Sequence, residues 1–139
     1  MRRQLSNTML VLLASALTCS AAEQRTAVTL LPSERAHLLV GMRVYLASIE
    51  DVTSALAAYK PDRVAAAARR SGTAALLDVS PATALKLPLE FTSLSLATHQ
   101  QFDALADKAE RHASRTELLG DLAAILSSCN GCHSSFRLE

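Results

Sequence analysis

The sequence predicts an all-α fold, an antiparallel four-helix bundle built as one domain. Three observations predict it. Along four stretches the apolar residues recur in alternating steps of three and four, the spacing that gathers them on one face of a helix. Prolines and capping residues stand between those stretches, where helices start and stop. No segment carries the sustained alternation of a strand, and there is neither an internal repeat nor a low-complexity tract. A length of 139 residues suits a single domain, and short links favour antiparallel neighbours.

The chain opens on an export signal spanning residues 1–22. Arg2 and Arg3 form a positive n-region, Met9 to Leu17 an apolar h-region, and Ser20-Ala21-Ala22 supplies small residues for cleavage before Glu23. The apolar run is too short for an ordinary membrane span. The residues after Arg2-Arg3 fit a twin-arginine signal poorly. Cys19 leaves with the signal; a lipoprotein cleavage before it is the weaker reading, because Thr18 suits that site badly. The expected product is a periplasmic chain of residues 23–139. Removing Arg2 and Arg3 takes the formal charge from +1 to −1, which argues against nucleic acid as a partner.

Residues 23–31 read as a lead-in. Pro32-Ser33-Glu34 starts the first helix, with Ser33 as cap and Glu34 at the positive end of the dipole. Its seam is Leu39, Met42, Leu46, Ile49, Thr53 and Leu56, and Tyr59-Lys60-Pro61 ends it. Asp62 caps a short second helix through Val64, Ala67 and Ala68, whose alanines favour helix and close approach. Gly72 is a break or C-cap. Within residues 73–87, Ser80-Pro81 marks a single helical turn. Pro88 opens a third helix to about Arg111, with the stripe Phe91, Leu94, Thr98, Phe102, Leu105 and Ala109. Ser114 or Thr116 caps the fourth. Its seam is Leu118, Leu122, Ile125, Cys129, Cys132 and Phe136, and a second row of Leu119, Leu126 and His133 runs beside it.

The fourth helix carries the chemistry. Cys129-Asn130-Gly131-Cys132-His133 is C-x-x-C-H, the attachment motif for c-type haem. On a helix its three reactive residues stand at i, i+3 and i+4 and project from one face. Two thiols can then add to the two vinyl groups of one porphyrin while the imidazole reaches the iron. A zinc site would need about four ligands, and no second pair exists here. A thioredoxin-type pair would need a strand–helix setting. A disulfide would leave His133 without a role. The bundle is therefore expected to hold haem c and its iron near its C-terminus, attached from inside, with His133 partly covered.

The run Cys129-Asn-Gly-Cys132-His133-Ser-Ser-Phe136-Arg137 resembles the C-x-x-C-H-x-x-[FY]-R ending of the class II c-type cytochromes, the cytochrome c′ and c-556 group. Thr98-His99-Gln-Gln-Phe102-Asp103 resembles a segment of c-556-like members, and the likeness covers most of residues 23–139. The resemblance implies a periplasmic haem protein that carries electrons or binds small gases. It implies Cys129 and Cys132 as thioether anchors, His133 as proximal ligand and Arg137 near the haem edge. Arg35 matches the family's first-helix arginine, which contacts a propionate.

Function then turns on the residue opposite His133. With a rise of about 1.5 Å per residue, the level of His133 falls near residues 37–42 on the first helix and near residues 92–96 on the third. His37, Leu39 and Met42 are the nearby candidates, and His99 lies a turn or more away. Met42 on the seam would make a six-coordinate electron carrier; its ordinary alternative is a space-filling core methionine. In the family's pattern the distal residue lies four after the arginine, at Leu39, which cannot bind iron and would leave an open site for NO or CO. His37 and His112 read as surface residues, and His99 as a hydrogen-bonding one. Expected partners are redox proteins, NO or CO if the site is open, and a second copy of the chain as a homodimer. No acid–base constellation flanks the motif, so an enzyme is not expected.

Overall fold

The computed structural model describes residues 23–139 and is predominantly helical; the export signal read in residues 1–22 lies outside the described residues. The order is strand β1 (Thr26–Val28), helix α1 (Pro32–Ala57), α2 (Pro61–Arg69), a 3-10 helix (Thr73–Asp78), α3 (Pro81–Ala84), α4 (Leu89–Glu110), α5 (Arg115–Ser135) and strand β2 (Phe136–Leu138). Four prolines punctuate it. Pro32, Pro61 and Pro81 stand in the first turns of their helices and Pro88 stands just ahead of α4, where a missing N–H costs nothing.

The caps differ in part from expectation. In α1 the capping position is Leu31, not Ser33, and the Leu31 amide donates to Glu34 Oε2 at 2.8 Å. An apolar cap residue offers no side-chain acceptor, so the glutamate three residues on provides the only reciprocal bond. Likewise Lys60, not Asp62, precedes α2, and Asp62 lies in the first turn beside the positive helix end. Ser80 and Ser114 do cap: Ser80 Oγ accepts from the Thr83 amide, and Ser114 exchanges bonds with Glu117 in a full capping box. Tyr59 takes a left-handed φ of 54° after α1, and the Lys60 amide donates back to the Ala55 carbonyl at 2.9 Å, closing the helix end. Gly72 has φ −71° and is no left-handed cap.

One core draws on α1, α2, α4 and α5: Val52, Leu56, Val64, Phe102, Leu105, Leu118, Leu122 and Ile125, with Ala67, Ala68, Ala106 and Ala109 letting the helices close. The α1 stripe is rotated from the expected one. Leu46 is 67% exposed and Thr53 is exposed, while Val52 is fully buried and Tyr45 half-buried. The facing row is Met42, Tyr45, Ile49, Val52 and Leu56, which has the same three-and-four steps as the row read from sequence. In α4 the inward position is His99 rather than Thr98, and Leu94 is exposed. Along α5, Leu119 and Leu126 are exposed, and His133 is exposed at the rim of the helix end.

A second, smaller apolar cluster lies at the other end: Val28, Phe91 and Phe136, flanked by Leu30, Met42, Leu87, Cys132 and Leu138. Here the lead-in proves to be strand. β1 pairs with β2 in parallel, with Thr26 opposite Phe136 and Val28 opposite Leu138. The Glu139 amide bonds the Val28 carbonyl and the Leu30 amide the Glu139 carbonyl. Phe136 therefore leaves the helix instead of continuing its seam, yet stays buried with its ring edge-on to Phe91 at 5.5 Å.

Candidate functional site

Cys129, Cys132 and His133 occupy the last two turns of α5, where spacing alone puts them on one side of the helix. Both thiols are free and half-buried. Burial pushes both above the ordinary cysteine range, and for Cys132 the neighbouring Cys129 adds to the shift. A cysteine tuned for disulfide exchange is shifted the other way, toward thiolate. Among the described residues no three His, Cys, Asp or Glu side chains converge as a metal cage; the three residues are separate points along a face.

That face borders a cavity of about 80 Å³ walled by Cys129, Cys132, His133, Met42, Tyr45, Phe91, Leu94, Ser95, Thr98, His99 and Phe102. A larger apolar cleft of about 310 Å³ adjoins it, sharing Met42, Tyr45, Phe91 and Ser95 and adding Leu38, Leu76, Val79, Leu87 and Leu96. The space has a structural origin. At the α1–α2 turn, α2 fills the gap between α1 and α4 with its alanine face. Beyond Gly72 the chain supplies only a 3-10 helix and the four residues of α3, and α1 and α5 touch sparsely. The helices thus pack closely around α2 and part at the end that carries the cysteines.

The structure brings Met42 to the same wall as the cysteine pair; Leu39 is half-buried but lies outside the lining of either space. Arg35 is exposed, and its Nε donates to the Leu138 carbonyl at 3.3 Å, tying the start of α1 to β2. Arg137 pairs with Glu139, and its buried Nε has no partner among the described residues. Neither arginine lines the cavities. His37 and His112 are exposed, as expected.

Two more residues line this wall: His99, which makes the hydrogen bond expected of it, and Tyr45, to which sequence reasoning gave no role. His99 is 3% exposed, with Nδ1 2.8 Å from the Ser71 carbonyl oxygen. Tyr45 meets it edge-on, with ring centroids 4.9 Å apart. Burial, with the charge of Asp78 behind it, raises the Tyr45 hydroxyl above its ordinary range. The signal for Tyr45 was its place three residues after Met42, and for His99 its place three before Phe102. No protein-family model matches the chain, and neither does any curated protein or solved structure.

Proposed function

We propose that the chain is an exported c-type haem protein of the class II cytochrome kind, a four-helix bundle that carries electrons between redox proteins of the periplasm. In this reading Cys129 and Cys132 would hold the haem through thioethers, and His133 and Met42 would ligate its iron. The observation that carries the reading is one wall: two free, half-buried thiols at the spacing of C-x-x-C-H, with His133 and Met42 bordering the same apolar cavity. The bound group supplies a one-electron iron couple.

The chain's own residues do the rest. The cysteines fix the group to the rigid last turns of α5. Their raised, protonated thiols do not suit exchange chemistry. Phe91 and Phe102, both buried on this wall, would exclude water, which would favour the less charged reduced state and raise the potential. The reading with an open site for NO or CO rests on Leu39 as distal residue, and Leu39 stands off the cavity wall while Met42 stands on it; the six-coordinate carrier is therefore preferred.

Protein matured in a host that attaches c-type haem is expected to keep its haem through acid–acetone extraction. Replacing both anchors, Cys129→Ser with Cys132→Ser, is expected to abolish that retention; a double variant that still holds haem covalently overturns the assignment. Met42 is tested separately. The ferric protein should show a weak near-infrared sulfur-to-iron band, and Met42→Leu, which roughly preserves volume, should remove it. A band that survives the substitution, or that wild type never shows, excludes Met42 as ligand.

A further inference from the structure

We infer that His99 is a second nitrogen ligand for the same iron, competing with Met42 for the position opposite His133. The inference rests on the haem reading above and goes beyond it. Its basis is the state in which the fold holds the imidazole.

The Ser71 carbonyl can only accept, so His99 Nδ1, 2.8 Å away, must donate. In the neutral ring the lone pair then lies on Nε2. Donation of the other ring N–H to a backbone carbonyl is the support that recurs around metal-bound histidines, because it sets the tautomer, orients the ring and raises its basicity. The support is rigid. Ser71 is fully buried, and its hydroxyl donates to the equally buried Ser48 at 2.8 Å. The Tyr45 ring, at 86° to the imidazole, holds its other side.

Nε2 has no hydrogen-bond partner among the described residues and is not among the buried polar atoms left unmet, so it is not sealed off like the backbone-bound Nδ1. His99 borders the cavity shared by Cys129, Cys132, His133 and Met42. Two donors of different softness therefore face one space: a thioether suited to ferrous iron and a neutral imidazole suited to ferric iron. When the sulfur is lost, His99 takes its place, and the site does not open to gases.

The experiment uses the matured protein and its Met42→Leu and Met42→Leu/His99→Gln variants. Glutamine keeps an N–H for the Ser71 carbonyl but offers no imidazole. Met42→Leu is expected to be ferric low-spin by electron paramagnetic resonance, without the sulfur band. Its reduced form should bind CO at least about tenfold more slowly than the double variant, because only the fraction of molecules with His99 off the iron is competent. The double variant should be high-spin and return to low-spin on adding imidazole. If Met42→Leu alone is already high-spin and binds CO as fast as the double variant, His99 is not a ligand. The haem reading fails differently: no variant, nor wild type, would retain covalent haem.

Discussion

Gly72 shows how one atom can decide a junction. It joins α2 to the 3-10 helix at an ordinary φ, so its need for glycine is steric and not conformational. A Cβ there would overlap the Asp103 carboxylate. Asp103 cannot simply swing away. Burial works to raise its carboxyl, but bonds from the Thr73 amide and hydroxyl, at 2.9 and 2.7 Å, and from Arg69 outweigh it and hold the group below the ordinary range. Gly72→Ala is therefore expected to cost about 1–3 kcal/mol, the usual range for overpacking. In an Asp103→Ala background the same change should cost almost nothing, because the obstacle is gone. Urea unfolding of the four proteins of that cycle measures the difference. Equal costs in both backgrounds would mean that Asp103 is not what Gly72 accommodates.

At the scale of elements, the helices were legible, and so were most inward positions of α2, α4 and α5, but the phase of α1 was not. Along α1, Tyr45 and Leu46 are both large, and Val52 and Thr53 are both β-branched, so either row satisfies the three-and-four spacing. Which one faces inward depends on α2 and α4, which a local pattern does not contain. The strands escaped notice for a related reason. Three residues show no alternation, and β1 and β2 pair across almost the whole described chain. The spacing of C-x-x-C-H is legible because it is chemistry in itself, whereas the Ser71 carbonyl that meets His99 is brought to it only by the fold. The caps yield a prediction. Hydrogen bonding from Lys86 and the Leu31 amide holds Glu34 below the ordinary value of 4.5, and bonds from Ser114 do the same for Glu117. The folded chain thus releases these protons more readily than the unfolded one. Their contribution is complete above 4.5 and is lost as pH falls through the lower folded values. Thermal midpoints should drop on acidification through this range, and Glu34→Gln with Glu117→Gln should lower stability at neutral pH and flatten that drop. An unchanged acid limb in the double variant would assign the loss to other carboxylates.

For the molecule as a whole, the asymmetry between its two ends governs what maturation should do. The end built from Val52, Val64, Leu105, Leu118 and Ile125 holds the larger core, with a pocket of about 150 Å³ beside Leu56, Val64 and Leu118. The other end depends on Phe91, Phe136, Val28 and a three-residue strand pair around spaces of about 80 and 310 Å³. Unfilled apolar space costs contacts on every wall, and a group bound only by the folded state shifts folding toward it. Haem attachment should therefore raise the thermal midpoint and act unevenly. Hydrogen exchange of the unmatured chain should find α2, the second half of α4 and the first half of α5 already protected. Amides near residues 38–46, 87–98 and 126–138 should exchange fast and slow markedly after attachment. Because β1 is bonded to the strand that follows the cysteines, residues 28–30 should slow with them, though they lie about a hundred positions away in sequence. Equal midpoints for the two forms, or protection gained uniformly along the chain, would mean that the open end is stable alone and that the cysteine-bearing helix is held without a prosthetic group.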